Sequence, residues 1–243
     1  MNLLDIAEEG LLKQWWNSYN DHHPKVGHSA SSYVKCPRQQ VYEWIEAQPT
    51  NVVVKHAWAP AFGNIHHDLL YKLWVLGGAS VLTEEELSFE YHTGELEYPV
   101  RGRPDAVITK DSEARMTDVK SVNPSAFRYE LPKEDAIAQV SFYKRMVEEE
   151  VITCPSIDSY SITYVSRADF NRREYVMGEG FEEMDTTDYS AWELVEHCMK
   201  DQELPDRIGP DDKFPCATVF KKTGEKTTWC DYYDLCWEIH KHI

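Results

Sequence analysis

The sequence predicts a mixed α/β protein, and three observations carry that reading. Hydrophobic residues make up 42% and aromatics 12% of the 243 residues, spread along the whole length, which is enough to bury a sizeable core. The apolar periodicity changes from helical to alternating and back, giving helix, three strands, helix, strand. No repeat, low-complexity run or flexible linker interrupts that order. The chain therefore reads as a single domain over residues 1–243, with an N-terminal cap over 1–59, a core over 60–178 and a C-terminal helical segment over 179–243.

The elements follow in order. Residues 38–47 (RQQVYEWIEA) predict a helix. FGNIHHDLLYKLWVLGG spaces Ile65, Leu69, Leu73 and Leu76 at helical intervals and then stops at Gly77-Gly78, which predicts an amphipathic helix with a glycine stop. Three strand-like runs follow at 86–92, 96–109 and 115–121, and TKDSEA is a polar turn between the last two. They are expected to form an antiparallel meander. Residues 133–149 (KEDAIAQVSFYKRMVEE) return to the helical period, and SIDSYSITYVS and RREYVMG predict further strands.

Charge bounds the partners. A formal net charge of −17 argues against a nucleic-acid partner, because binding phosphates needs Lys and Arg to displace condensed counterions. The acidity is uneven, however. Residues 174–213 hold 13 acidic and 3 basic side chains, whereas Arg101, Arg103, Lys120 and Arg128 surround the stretch from 102 to 121. Such a chain accepts nucleic acid only along one small basic track, with modest and salt-sensitive affinity. The opening residues MNLLDIAEEGLLKQWW hold no basic run ahead of an apolar one, and nowhere do enough apolar residues run together to span a bilayer. The expectation is a soluble cytoplasmic protein with no membrane partner.

The stretch GRPDAVITKDSEARMTDVKS, residues 102–121, carries the chemistry. If it folds as a hairpin, Asp105 and Asp118 lie on neighbouring strands and their carboxylates converge at one sheet edge. Hard oxygen ligands so placed suit Mg²⁺ or Mn²⁺. Lys120 stands two residues beyond Asp118, so alternation sends both side chains to one face. A metal held by the carboxylates would activate water and neutralise charge on a scissile phosphate, and the ammonium would orient the water or stabilise the phosphorane. That points to phosphodiester hydrolysis; the bland alternative is an ordinary charged hairpin. Upstream, Gly63 precedes His66 and His67. Downstream, Gln139 and Tyr143 fall at i and i+4 on one helix face.

Taken in order, FGNIHHDLL, GRPDAVI, TDVKS and QVSFY, spanning roughly residues 60–165, resemble the motifs of the PD-(D/E)XK nucleases. Within them they resemble the RecB-like exonucleases, including the CRISPR-associated Cas family four proteins. The resemblance implies a restriction-endonuclease-like αβββαβ core, a mixed sheet flanked by helices. It implies His67, Asp105 and Asp118 as metal ligands with the Val119 carbonyl, and Lys120 as catalytic together with the two aspartates. It places Gln139 and Tyr143 beside the DNA; the charge distribution, independently of the resemblance, offers Arg101, Arg103 and Arg128 as basic contacts. His67 lies four residues after Gly63, the family spacing, and Leu70 stands where a leucine is expected; His66 is the substitute ligand. The implied function is a metal-dependent DNA exonuclease acting on single strands or duplex ends, in recombination, repair or CRISPR adaptation, with proteins of those processes as partners. The alternatives are a non-catalytic DNA-binding or assembly module on the same fold, and a site-specific endonuclease.

Six cysteines in a chain expected to be cytoplasmic are read as free or metal-bound rather than disulfide-bonded. Cys36 lies early, in YVKCPRQQVYEW; Cys216, Cys230 and Cys236 lie late, in FPCATVF and TWCDYYDLC. The iron–sulfur members of the RecB-like group similarly have one cysteine before the core, often followed by Pro-Arg, and three after it. The resemblance thus implies a [4Fe–4S] cluster on Cys36, Cys216, Cys230 and Cys236, joining the C-terminal segment to the N-terminal helix. The 14-residue step from Cys216 to Cys230 is wider than in the family, while the step to Cys236 matches. Four thiolates also suit a structural zinc ion. Cys154 and Cys198 are read as small buried hydrophobes.

Overall fold

The computed structural model describes residues 27–45, 47, 54–128, 131–206, 217–219, 226–228, 232 and 236, with the side chains of 54–60, 128, 217–219 and 226–228 outside the description. In chain order the elements are β1 (His28–Ser29), α1 (Pro37–Trp44), α2 (Val54–Leu76), β2 (Ser80–Thr83), β3 (Phe89–Tyr91), β4 (Val100–Gly102), β5 (Ala106–Lys110), β6 (Glu113–Val122), α3 (Glu134–Glu148), β7 (Ser159–Ser166), β8 (Arg172–Val176), α4 (Ser190–Asp201), β9 (Ala217–Val219) and β10 (Lys226–Thr228). Short 3-10 turns cover Ala30–Ser32 and Pro124–Arg128. The chain divides into two compact units. One holds Met1–Val26, Lys35–Trp58 and Ser190–Ile243, the other Gly27–Val34 and Ala59–Tyr189.

In the first unit α1 packs against α4. Cys36 is the N-cap of α1 and Pro37 opens it, the position where a missing N–H costs nothing. Arg38 is buried; its guanidinium donates to the Pro205 carbonyl at 2.9 Å and to the Tyr42 hydroxyl at 3.3 Å. The Tyr42 and Tyr232 rings lie 5.4 Å apart, and Trp192 and Cys198 are buried in the same unit. Cys36 and Cys236 are half-buried. Cys216 and Cys230 lie outside the described residues.

The second unit is built on a five-stranded mixed sheet in the order β2-β5-β6-β7-β8. All neighbours are antiparallel except β6 and β7, which run parallel, so the chain must cross over between them, and it does so through α3. Helices flank both faces. Leu70 and Trp74 of α2 pack on Val119 and Val165, and α3 lies on the opposite face, where Gln139 meets Lys120. Asp111 and Ser112 both have positive φ, 51° and 70°, and make the tight turn joining β5 to β6 as the polar TKDSEA run predicts.

The expected meander is corrected in two respects. The run 96–109 is two strands, not one: β4 ends at Gly102 and β5 starts at Ala106, because Pro104 has no N–H to give a ladder and the chain bends there. β4 joins β1 and β3 in a separate three-stranded sheet, so the run 86–92 contributes to that sheet and not to the large one. The outer partner of β5 is Ser80–Thr83, a four-residue strand directly after the glycine stop that the periodicity does not reveal. The helices expected at 38–47 and 133–149 are found at Pro37–Trp44 and Glu134–Glu148.

Gly102 shows why the quoted stretch begins with glycine. A Cβ at this position would lie 2.6 Å from the Phe89 ring and 3.0 Å from that of Tyr143, and both rings are buried. Gly102→Ala is therefore expected to lower stability by about 1–3 kcal/mol, the usual cost of overpacking a core, measured by urea unfolding. A variant as stable as the parent contradicts this packing.

Candidate active site

The β5–β6 turn sets the geometry. Lys110 pairs with Glu113 and Ala106 with Thr117, so the next pair in the register sets Asp105 opposite Asp118. Directly opposed residues point to the same side of a sheet. Asp118 is 1% exposed and Asp105 9%, which puts two carboxyl groups together out of water. Burial first, and the neighbouring Asp118 charge second, push the Asp105 carboxyl up to about 7. Its Oδ2 accepts a 2.6 Å hydrogen bond from the Val119 N–H, which partly compensates the ionised form.

The other members reach the pair from three elements. His67 comes from α2, with Nε2 3.1 Å from the Val119 carbonyl oxygen and Nδ1 3.8 Å from Asp105 Oδ1. Its neighbour His66 turns elsewhere: it is 2% exposed, and its Nδ1 lies 3.2 Å from Ser121 Oγ. Burial, then the charges of His67 and Arg167, keep His66 below its ordinary value, in the neutral form. The structure thus brings His67, not His66, to the aspartates. Lys120 Nζ sits 2.9 Å from Asp118 Oδ2 and donates to Gln139 Oε1 at 2.8 Å. Burial disfavours its charge, but Asp118 and Asp105 outweigh that and raise its pKa, so Lys120 is an ammonium.

Gln139 and Tyr143 of α3 form a supporting chain. Gln139 Nε2 donates to the Tyr143 hydroxyl at 2.7 Å, and that hydroxyl donates to the Arg103 carbonyl at 3.1 Å. Both residues are buried, Tyr143 at 2% exposure, so they meet Lys120 and the Arg103 backbone rather than open solvent. Arg101 makes a 2.7 Å ion pair with Glu90. The Arg103 side chain is exposed, and the side chain of Arg128 lies outside the described residues. Sequence reasoning missed Tyr71, one turn beyond His67, whose hydroxyl donates to the Asp105 carbonyl at 2.8 Å and fixes the backbone that carries the carboxylate. Its i+4 spacing from His67 was the available signal.

The donor set suits a hard divalent cation: two carboxylates, one main-chain carbonyl and one imidazole. The buried Oδ2 of Asp118 makes no aligned hydrogen bond, leaving a lone pair for such an ion. Among the described residues, however, no three His, Cys, Asp or Glu side chains are already close enough together to hold a metal ion; Lys120 lies against Asp118 instead. Among the same residues no helix is long and apolar enough to cross a membrane.

The chain matches no protein-family model and no curated protein. It is similar in fold to a solved structure described as "Crystal structure of SSO0001", with a TM-score of 0.60 and 19% sequence identity over 97% of this chain and 98% of that one. The likeness supports a mixed α/β fold with mixed sheets flanked by helices.

The Asp105 shift has a sign that can be checked. Between the ordinary aspartate value and about 7 the folded state holds a proton that the unfolded state has released, so metal-free stability falls as pH rises through that window. In EDTA the melting temperature is expected to drop between about pH 4 and about pH 7, and Asp105→Asn is expected to flatten the drop. An equal drop in the variant would remove Asp105 as its source.

Proposed function

We propose that this protein is a divalent-metal-dependent deoxyribonuclease of the RecB-like PD-(D/E)XK type, an exonuclease acting on single-stranded DNA or duplex ends in the cytoplasm, in recombination, repair or CRISPR adaptation. The observation that carries the reading is the opposition of Asp105 and Asp118 on neighbouring strands, with Lys120 on the same face and His67 beside the Val119 carbonyl. A buried like-charge pair costs stability unless a cation joins it, and its retention is better explained by function than by folding.

Asp105, Asp118, the Val119 carbonyl and His67 would hold Mg²⁺ or Mn²⁺, which supplies Lewis-acid polarisation of a phosphate and an activated water. Tyr71 and the Val119 N–H hold Asp105 at a fixed position. Lys120 presents its protons to the reacting phosphate or water, and Gln139 restrains its swing. Tyr143, anchored on the Arg103 backbone, restrains Gln139. On this reading the four cysteines Cys36, Cys216, Cys230 and Cys236 bind a structural [4Fe–4S] cluster or zinc, and the half-buried thiol of Cys36 at the mouth of α1 is compatible with a ligand. The Lys120–Asp118 ion pair favours one second reading, a non-catalytic DNA-binding module whose lysine has taken the place of the metal.

Anaerobically purified protein incubated with end-labelled single- and double-stranded DNA and Mn²⁺ separates the two. Stepwise shortening from an end is expected, with Lys120→Ala slower by about 10²–10³-fold and Asp118→Ala inactive. Mn²⁺ titration calorimetry should show weakened binding for Asp118→Ala and unweakened binding for Lys120→Ala, because an ammonium is not a ligand. Intact DNA in every lane would leave the binding module. Cys36→Ala is expected to lose visible colour, iron and melting temperature together; protein without iron or zinc, indifferent to that change, would remove the cluster.

A further inference from the structure

The hairpin between β7 and β8 reads RADFNRR, residues 167–173: three arginines and one aspartate in a chain of net charge −17. Phe170 at its tip is 47% exposed and has a φ of 54°, a conformation that bulky residues adopt only when the surroundings impose it. They do impose it. The Phe170 N–H donates to the Ser166 carbonyl at 3.3 Å, the Ser166 N–H to the Asn171 carbonyl at 2.8 Å, and the Asn171 N–H to Asp169 Oδ1 at 3.2 Å. The exposed ring meets the His66 ring at right angles, with centroids 4.8 Å apart and planes at 82°.

Sheet register ties this tip to the candidate site. Lys120 is opposite Tyr164 and Tyr164 opposite Arg173; Ser121 is opposite Val165 and Val165 opposite Arg172. Arg173 therefore shares a face with Lys120, two strand spacings or about 10 Å away. Arg172 shares the other face with Ser121, which holds His66. Arg173 lies over the Phe127 ring at 5.3 Å, and Arg167 has a buried Nε with no hydrogen-bond partner. Among the described residues none of the three arginines makes an ion pair with a carboxylate.

We propose that this hairpin is the seat for the single-stranded stretch of DNA next to the scissile phosphate, with a base stacked on Phe170, flanking phosphates on Arg167 and Arg172 on the His66 side, and a further phosphate on Arg173 where the strand crosses the end of the sheet toward Lys120. A fixed aromatic face beside cationic groups is what unpaired nucleotides bind without regard to sequence, and a paired duplex has no free base face to offer it. The proposal deepens the nuclease reading by naming where on the fold an unpaired strand is held, and it rests on that reading for the scissile phosphate.

The test is equilibrium binding of the full chain to a short fluorescein-labelled single strand and to a blunt hairpin duplex, in EDTA so that nothing is cleaved. Phe170→Ala is expected to weaken single-strand binding about tenfold, within the range for one stacked base, and to leave duplex binding within about twofold, whereas Phe170→Trp retains it. Arg172→Ala with Arg173→Ala, both exposed, is expected to lower the log–log salt slope on single strands by about 1.4, or 0.7 per phosphate; this pair serves if Phe170→Ala melts early. The proposal is overturned if wild type binds no single strand, if folded Phe170→Ala binds it as wild type does, or if both DNA forms lose affinity equally. Because the measurement needs no cleavage, a protein that binds through Phe170 yet never cuts DNA would sink the nuclease reading and keep this one. A protein that cuts DNA indifferently to Phe170 and the two arginines would do the reverse.

Discussion

Two carboxyl groups held out of water on adjacent strands govern the arrangement around them. Asp105 and Asp118 oppose each other across the β5–β6 ladder, and each is nearly inaccessible. Neither charge is stable in that position alone, so every neighbouring group can be understood by what it offers the pair. The Val119 N–H serves Asp105, the Lys120 ammonium serves Asp118, and the imidazole of His67 lies between the Val119 carbonyl and the Asp105 carboxylate. Removing one partner from such a set strands a buried charge, which is why these residues act as a unit.

That unit needs a rigid mounting, and the fold supplies it from outside the hairpin. Lys120 would swing freely on its four-carbon stem, but Gln139 accepts one of its protons, Tyr143 accepts from Gln139 and itself donates to the Arg103 backbone. The relay therefore starts on β6, passes through α3 and ends just before β5. It closes a loop around the two aspartates, and Gly102 admits the Phe89 and Tyr143 rings that pack at its base. A similar economy holds on α2, where Leu70 packs on the sheet, His67 faces the aspartates and Tyr71 pins the Asp105 backbone. Little more than one helical turn, from His67 to Tyr71, thus supplies packing, chemistry and positioning.

The placement of the candidate residues was largely legible because a two-residue turn fixes register by counting. Five residues back from Lys110 is Asp105 and five beyond Glu113 is Asp118, so a polar turn at Asp111–Ser112 was enough to set them opposite each other. The i and i+4 spacing of Gln139 and Tyr143 likewise survived into a direct hydrogen bond. What failed depended on contacts remote in sequence. Residues 96–109 alternate like one strand, and only the bend at Pro104 and the pairing of β4 with β1 and β3 divide them. Ser80–Thr83 is too short to carry a period. The choice of His67 over His66 rested on the spacing from Gly63 that the resemblance supplied, and its physical ground is which side of the helix faces Ser121 and which faces Asp105. The basic track expected at Arg101, Arg103 and Arg128 had no local signal of pairing, and Arg101 proves to be held by Glu90 across the β3–β4 ladder.

The large negative charge is the remaining tension with a nucleic-acid reading, and distance resolves it. At physiological ionic strength charges are screened over about 8 Å, so carboxylates elsewhere on the surface contribute little at the mouth of the site. What counts there is local: an ammonium at Lys120 and a guanidinium at Arg173 on the same face of the sheet and, on the proposed reading, an aromatic ring whose attraction for a base does not depend on salt in the way that phosphate contacts do. A chain of this composition gains little from the non-specific counterion release that holds basic proteins along a duplex. If the chain binds DNA as proposed, the affinity has to come from a short patch that recognises exposed bases, and a patch of that kind favours ends and single strands over the continuous helix.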